Sequence, residues 1–109
     1  KHILVCLHHQ PTPIGSRWLD GVGLDDAEDF MAIVAGDDRI RALLWGHVHQ
    51  EFDETRGALR LMSTPSTCFQ FVPRRDDFAV DPQPPGYRRL RLHDDGRIET
   101  TVCRVPVPA

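Results

Sequence analysis

Four of the six histidines in this chain stand in two short clusters. His8 and His9 directly follow one apolar run, and His47 and His49 flank a single valine after a second apolar run. The neutral imidazole of histidine is the commonest side-chain ligand of metal ions in proteins. The two clusters therefore predict a metal site whose ligands come from two separate parts of the chain.

The second cluster has a spacing that bears on its geometry. In an extended backbone, side chains two residues apart point to the same side, so His47 and His49 are expected to face one pocket. Gly46 carries no side chain and would let the backbone approach that pocket closely. Taken alone, such a pair also fits a polar rim at a strand end, and the first cluster is what favours a metal. Spacing leaves open whether His8 or His9 is the ligand, because adjacent strand residues face opposite sides.

The elements that must position these histidines form a predicted strand–helix–strand unit. The apolar runs at residues 2–7 and 40–45 predict two buried strands. Between them, residues 25–35 have acidic side chains at the start, apolar residues at helical spacing and Gly36 at the end, which is typical of a helix. Such a unit makes its two strands parallel, so both clusters are expected at the carboxyl edge of one sheet, where open α/β sheets bind ligands.

The second half of the chain has a different pattern. Short segments with a period of two predict mainly antiparallel strands, at residues 58–62, 67–72, 88–93 and 98–105. Residues 94–97 predict a hairpin turn, and the proline-containing segment 74–86 predicts an irregular loop. The predicted fold class is α/β, or α+β for so short a chain: one strand–helix–strand unit followed by antiparallel strands.

Length and charge exclude several classes of protein. The chain has 109 residues and a formal net charge of −3, which suits a single domain at most and gives no basic surface for nucleic acid. No apolar run approaches the roughly 20 residues that a membrane-spanning helix needs. Three widely spaced cysteines, in apolar stretches, predict reduced thiols in the core and a cytoplasmic location. We expect neither nucleic acid nor a membrane as a partner.

Three segments together resemble a known family: HILVCLHHQP, then LLWGHVHQEFD, then LMSTPSTCFQF. Their order is similar to the second half of the calcineurin-like metallophosphoesterases, whose later motifs are a histidine at a strand end and Gly-His-x-His. The segments SRWLD at 16–20 and PGYR at 85–88 further resemble the bacterial 3′,5′-cyclic AMP phosphodiesterases of that superfamily. The resemblance covers nearly all of residues 1–109, as the C-terminal half of a β-sandwich catalytic domain.

This resemblance implies an enzyme that hydrolyses the phosphodiester of 3′,5′-cyclic AMP to AMP with two divalent or mixed-valence metal ions. Iron and manganese are the first expectation, with zinc or cobalt as alternatives. His8 and His47 would bind one ion and His49 the other, His47 and His49 would be the catalytic residues, and His9 and His49 would contact the substrate.

The resemblance also implies what this chain does not contain. The family's early Asp-x-His, its bridging aspartate and its Asn-His pair have no match in the sequence. Three histidines are then half of a site, so we expect the chain alone to be inactive. Its expected partners are a cyclic nucleotide and the N-terminal half of the same protein, and the chain alone is expected to self-associate through exposed sheet.

Two other functions fit the sequence. One is a metallophosphoesterase that acts on a different phosphoester, since the metal motifs would be the same and only the pocket would differ. The other is a non-catalytic interaction module in which the histidines are rim residues. Near the site, Trp18 and Asp20 either line the mouth of the pocket or pack locally, while His2 and His93 are expected at the surface or an edge.

Overall fold

The protein is described here by a computed structural model that covers residues 1–106. In chain order the elements are β1 (Ile3–Leu7), α1 (Arg17–Asp20), α2 (Ala27–Ala35), β2 (Ile40–Trp45), β3 (Phe52–Arg56), β4 (Leu59–Ser63), β5 (Gln70–Phe71), β6 (Val80–Asp81), β7 (Gly86–Leu92) and β8 (Ile98–Arg104). The fold is mixed, with two helices and three sheets in the described part of the chain.

The largest sheet has four strands in the order β1-β2-β4-β3. Strands β1 and β2 are parallel, as predicted, and β4 is parallel to β2. Leu7 pairs with Trp45, and Trp45 with Ser63, so the carboxyl ends of these three strands lie side by side. The shared edge that the sequence predicted for the two histidine clusters is therefore confirmed.

Helix α2 confirms the predicted helix and ends, as expected, before Gly36. Val34 is buried, and Phe30 and Met31 pack against the core of the sheet, whereas Ile33 is 73% exposed. The stripe that faces the sheet is therefore narrow. No helix within residues 1–106 is long and apolar enough to cross a membrane.

The first strand is less buried than its sequence predicts. Strand β1 is half-buried and Cys6 is exposed, because β1 pairs only with β2 in the described structure and so lies at the sheet edge. Cys68 is also exposed and Cys103 is half-buried. The prediction of three core thiols is wrong, since Cys6 stands on an edge strand and Cys68 in a loop outside the strands.

The antiparallel half follows the prediction in its long strands. Strands β7 and β8 pair along their whole length, and their turn falls at residues 94–97 as expected. The turn is closed by the His93 amide, which donates to the Arg97 carbonyl at 3.0 Å, and by Gly96 at a φ of 90°. A positive φ costs glycine little, which explains that residue in the turn.

Other segments differ from the predicted pattern. Strand β3 was not predicted, because four of its five residues are exposed and its one apolar residue gives no alternation. The strand predicted at residues 67–72 is only the two-residue β5, and it pairs with β6, which lies in the segment predicted as irregular. The short helix α1 was also missed, since four residues are too few to show a period.

Candidate metal centre

Three imidazoles meet at the carboxyl edge of the main sheet. His8 and His9 follow β1, His47 follows β2, and one ring nitrogen of each lies within 4.8 Å of the other two. The ring centroids are 4.9 Å apart for His8 and His9, 5.1 Å for His8 and His47, and 4.5 Å for His9 and His47. The structure thus brings His8 and His47 together, adds His9, and leaves His49 outside this group.

His47 stands at the apex of a tight turn. The Val48 amide donates to the Gly46 carbonyl at 2.7 Å, and the φ of His47 is 68°, which together define a γ-turn of the rare strained type. His49 also has a positive φ, of 49°. The extended backbone predicted for residues 46–49 is therefore wrong. Val48 is fully buried in the core, and the backbone turns on either side of it.

Backbone strain at non-glycine residues with a positive φ is an indicator of functional sites. A non-glycine residue held in a sparsely populated backbone region costs of the order of 1–3 kcal/mol and persists only where its surroundings fix it. Such residues cluster at active sites and ligand sites. In the described chain the non-glycine residues with positive φ are His47, His49 and Arg74, so two of the three belong to the second histidine cluster.

The imidazole of His47 is held in the state that binds metal. Burial lowers its pKa, the neighbouring His9 and His8 lower the pKa further, and the Val22 carbonyl acts in the opposite direction. The Nε2 atom of His47 is buried and has no hydrogen-bond partner. A neutral ring with an unsatisfied buried nitrogen beside two other imidazoles fits a metal ion, which would give that atom its missing partner.

His49 is oriented by a different set of contacts. Its Nδ1 lies 2.8 Å from the Phe69 carbonyl, which can only accept, so Nδ1 carries the proton. Its ring stacks on Phe71 at 4.4 Å. The lone pair is then left on Nε2, and histidine ligands of metals are commonly fixed by this kind of hydrogen bond from the other ring nitrogen.

The donor set suits one ion better than two. Two nitrogens bound to one ion at about 2.1 Å can be at most about 4.2 Å apart, so the three rings need only a small inward movement to share an ion. No carboxylate joins this group within residues 1–106. Neutral imidazoles do not offset the repulsion between two adjacent divalent ions, so a second ion requires acidic ligands from elsewhere.

Aromatic side chains surround His49 in a way that the sequence pattern did not indicate. Trp18 packs edge-on against Phe71 at 4.8 Å and against Phe78 at 5.3 Å, and Phe69 lies 5.5 Å from Phe71. Trp18 is therefore part of a packed cluster. The signal in the sequence is weak, because Phe69 and Phe71 stand in a segment that reads as an ordinary strand.

Three other polar side chains, those of Asp20, Ser63 and His93, have local roles in the described structure. Asp20 accepts hydrogen bonds from the amides of Ile14 at 2.8 Å and Gly15 at 3.2 Å, and so holds the loop after β1. The hydroxyl of Ser63 donates to the Gln50 carbonyl at 2.6 Å. His93 lies 3.3 Å from Glu99 in the β7–β8 hairpin.

Comparison with known proteins agrees with the resemblance in the motifs. The chain is 53% identical over 105 residues to the 3′,5′-cyclic adenosine monophosphate phosphodiesterase CpdA of Pseudomonas aeruginosa, covering 96% of this chain and 39% of that protein. It is 47% identical to the protein of the same name from Vibrio vulnificus, covering 96% and 38%. A 3′,5′-cyclic-nucleotide phosphodiesterase of Nostoc is 36% identical, covering 94% and 39%. No protein-family profile matches the chain.

These relatives confirm the resemblance to bacterial cyclic AMP phosphodiesterases, which extends over nearly the whole chain. The chain spans about two fifths of the length of the curated relatives that it matches, as the 39% and 38% coverage shows.

Proposed function

We propose that this chain is part of a metal-dependent phosphodiesterase that hydrolyses 3′,5′-cyclic AMP to AMP. The observation that carries the proposal is the meeting of His8, His9 and His47 from two parallel strand ends. The relatives named for this activity support the choice of substrate.

In this proposal residues 1–109 form the C-terminal half of the catalytic domain. The imidazole group contains no carboxylate among the described residues, which supports a preceding half that supplies acidic ligands. The edge of β1 that β2 does not cover supports a strand of that half as its neighbour. An uncovered edge also favours pairing between copies of the chain when it is alone.

The histidines then have separate tasks. His8 and His47 would hold one ion and His49 a second, and the γ-turn sets the backbone of His47 before any ion binds. His9 would donate a hydrogen bond to a phosphate oxygen, which its position beside His47 supports. The bound ions, iron and manganese by preference or zinc or cobalt, would act as Lewis acids that offset the phosphate charge.

The test uses the longer protein that contains this chain. We expect it to form AMP from cyclic AMP with manganese or iron(II) present and to lose this activity after chelation. A panel of other phosphoesters checks the substrate. Hydrolysis of another phosphoester without hydrolysis of cyclic AMP would contradict the substrate, and the absence of metal-dependent hydrolysis would contradict the whole proposal.

The chain by itself is predicted to be inert. Without acidic ligands it cannot hold two divalent ions side by side, because their repulsion is uncompensated. Cyclic AMP hydrolysis by the purified chain with manganese is compared with a His47→Ala/His49→Ala double variant. Metal-dependent turnover above that of the variant would refute this prediction.

A further inference from the structure

One exposed aromatic residue, Phe69, contacts His49 and also lines a neighbouring cleft. Phe69 is 46% exposed, and its ring lies 5.0 Å from the ring of His49. Its backbone carbonyl accepts the hydrogen bond that orients His49. Phe69 therefore touches the second histidine cluster through both its ring and its backbone.

The same residue lines a cleft of about 670 Å³. That volume falls in the range typical of small-molecule sites. The walls include Thr67, Phe69, Asp81, Gln83 and prolines of the segment 82–85. The lining residues that the structure describes bring one carboxylate and no cationic side chain, so the cleft suits an uncharged group and disfavours a phosphate.

We propose that Phe69 is the stacking surface for the purine base of the cyclic nucleotide. This inference rests on the proposed function and adds the residue that recognises the base. The phosphate would be at the imidazole group, where ions offset its charge, and the neutral base would lie against Phe69 in the cleft. The ring of Phe69 lies 5.0 Å from that of His49, which is two residues from His47 of the imidazole group, and this proximity is the basis for assigning one nucleotide to both places.

The choice of Phe69 over Phe78 follows from their contacts. Both rings lie 5.5 Å from Phe71, and Phe78 is the more exposed of the two at 60%. Phe78 neither contacts His49 nor lines the cleft among the described contacts. Removing Phe78 therefore perturbs the same aromatic cluster without touching the proposed base site, which makes it a matched control.

Phe69→Ala is a clean test because it removes only the ring. The carbonyl that orients His49 is part of the backbone and stays in the variant. In the longer protein, loaded with manganese, we expect Phe69→Ala to raise the KM for cyclic AMP by about tenfold or more, as aromatic stacking of one base predicts. Its inhibition constant for adenosine should rise in parallel, and that for inorganic phosphate should stay the same. Phe69→Tyr should restore the KM, and Phe78→Ala should match the wild type.

The outcomes separate this inference from the proposed function. An unchanged KM and adenosine constant in Phe69→Ala, with active wild-type enzyme, would overturn the base site and leave the phosphodiesterase standing. Equal loss of adenosine and phosphate binding would also overturn it, because the ring would then only support the site. The wild type could also fail to hydrolyse cyclic AMP while Phe69→Ala still weakens adenosine binding. That result would contradict the proposed function and support the base site.

Discussion

The second histidine loop and the β7–β8 hairpin differ in which residues adopt a positive φ. The hairpin pairs every residue from Gly86 to Leu92 with one from Ile98 to Arg104, and its positive φ falls on Gly96. The second histidine loop has its positive φ values on His47 and His49, residues for which that conformation is strained. The hairpin therefore needs no strained non-glycine residue. The histidine loop holds two, and both carry imidazoles.

A histidine from each region makes the contrast concrete. Both rings are partly buried, but the Nε2 of His93 faces a Glu99 oxygen at 3.3 Å within its own hairpin. Neither Nε2 has a hydrogen-bond partner among the described residues, but the ring of His47 faces two other imidazoles and no carboxylate. An unsatisfied buried imidazole that faces other imidazoles indicates a missing metal ion more strongly than one that faces a carboxylate.

The largest effect should come from exchanging one histidine in each region for asparagine. In the longer protein, His47→Asn should lower cyclic AMP turnover by roughly two orders of magnitude or more, because several kcal/mol of charge stabilisation depend on a correctly held ion. Asparagine tolerates the positive φ, so the turn is retained. Metal content, measured by elemental analysis, should fall with activity. His93→Asn should match the wild type in both, and equal losses in the two variants would erase the contrast.

Burial in the main sheet, which carries the histidine loops, and in the hairpin can be compared by truncating one leucine in each. Leu61 is fully buried in β4, whereas Leu92 in the hairpin is 58% exposed. Leu61→Ala should lower the free energy of unfolding by about 2–5 kcal/mol, and Leu92→Ala by about 0.5 kcal/mol or less. Urea unfolding of the chain measures both. A larger loss for Leu92 would mean that the hairpin, and not the main sheet, supplies most of the stability.

A methyl group added at one glycine of each region tests where space is tight. At Gly86 a Cβ would lie 2.9 Å from Cγ of Pro65 and 3.0 Å from the Cys103 carbonyl, so Gly86→Ala should cost about 1–3 kcal/mol. At Gly46 the nearest atom would be Nδ1 of His8 at 3.8 Å, an ordinary contact, and its φ is not positive. Gly46→Ala should be neutral to slightly stabilising. Thermal unfolding of both variants measures these changes in stability. Severe destabilisation by Gly46→Ala would show that the backbone at Gly46 does need the close approach that the sequence predicts.

The smallest effect concerns a carboxylate outside both regions. Arg39 donates to Asp37 from its side chain, at 2.9 Å and 2.7 Å, and from its amide at 3.0 Å. The side-chain bonds and then the amide bond lower the pKa of Asp37 from 3.8 to about 2. A lowered carboxyl pKa adds stability above pH 3.8, and that stability is lost as the pH falls towards 2. Arg39 is exposed and Asp37 is only half-buried, so the gain is small. An NMR titration should find the low pKa in the wild type and a higher one in Arg39→Ala, still below 3.8 because the amide of residue 39 remains.

The sequence predicts the parts of this molecule that depend on periodicity. The parallel β1–β2 pair, helix α2 and the turn at residues 94–97 follow from apolar spacing and turn residues, and the structure confirms them. The shared edge of the two histidine clusters follows from the same reasoning. Strand β3 is invisible to that reasoning because its exposed residues do not alternate with apolar ones.

The details of the site depend on contacts that sequence spacing does not encode. Burial of Val48 in the core bends the backbone at His47, and this overrides the extended geometry that a His-x-His pair suggests. His9 joins His8 because the chain leaves β1 at that point, and the two rings cross at right angles. His49 is set by Phe69 and Phe71, some twenty residues away in sequence. The ligand roles of His8, His47 and His49 remain predictions that the metal measurements test.

The parallel pairing of β1 with β2 has a consequence for the order of folding. The β3–β4 and β7–β8 pairs close short loops, while β1 meets β2 only after the chain has passed through α1 and α2. Closing the longer loop costs more chain entropy, so this pairing is expected to form later than the hairpins. His8 and His47 therefore come within reach of one another only near the end of folding. An ion bound between them would stabilise the folded chain relative to every earlier state. The rate of its uptake would therefore report the rate of the last folding step.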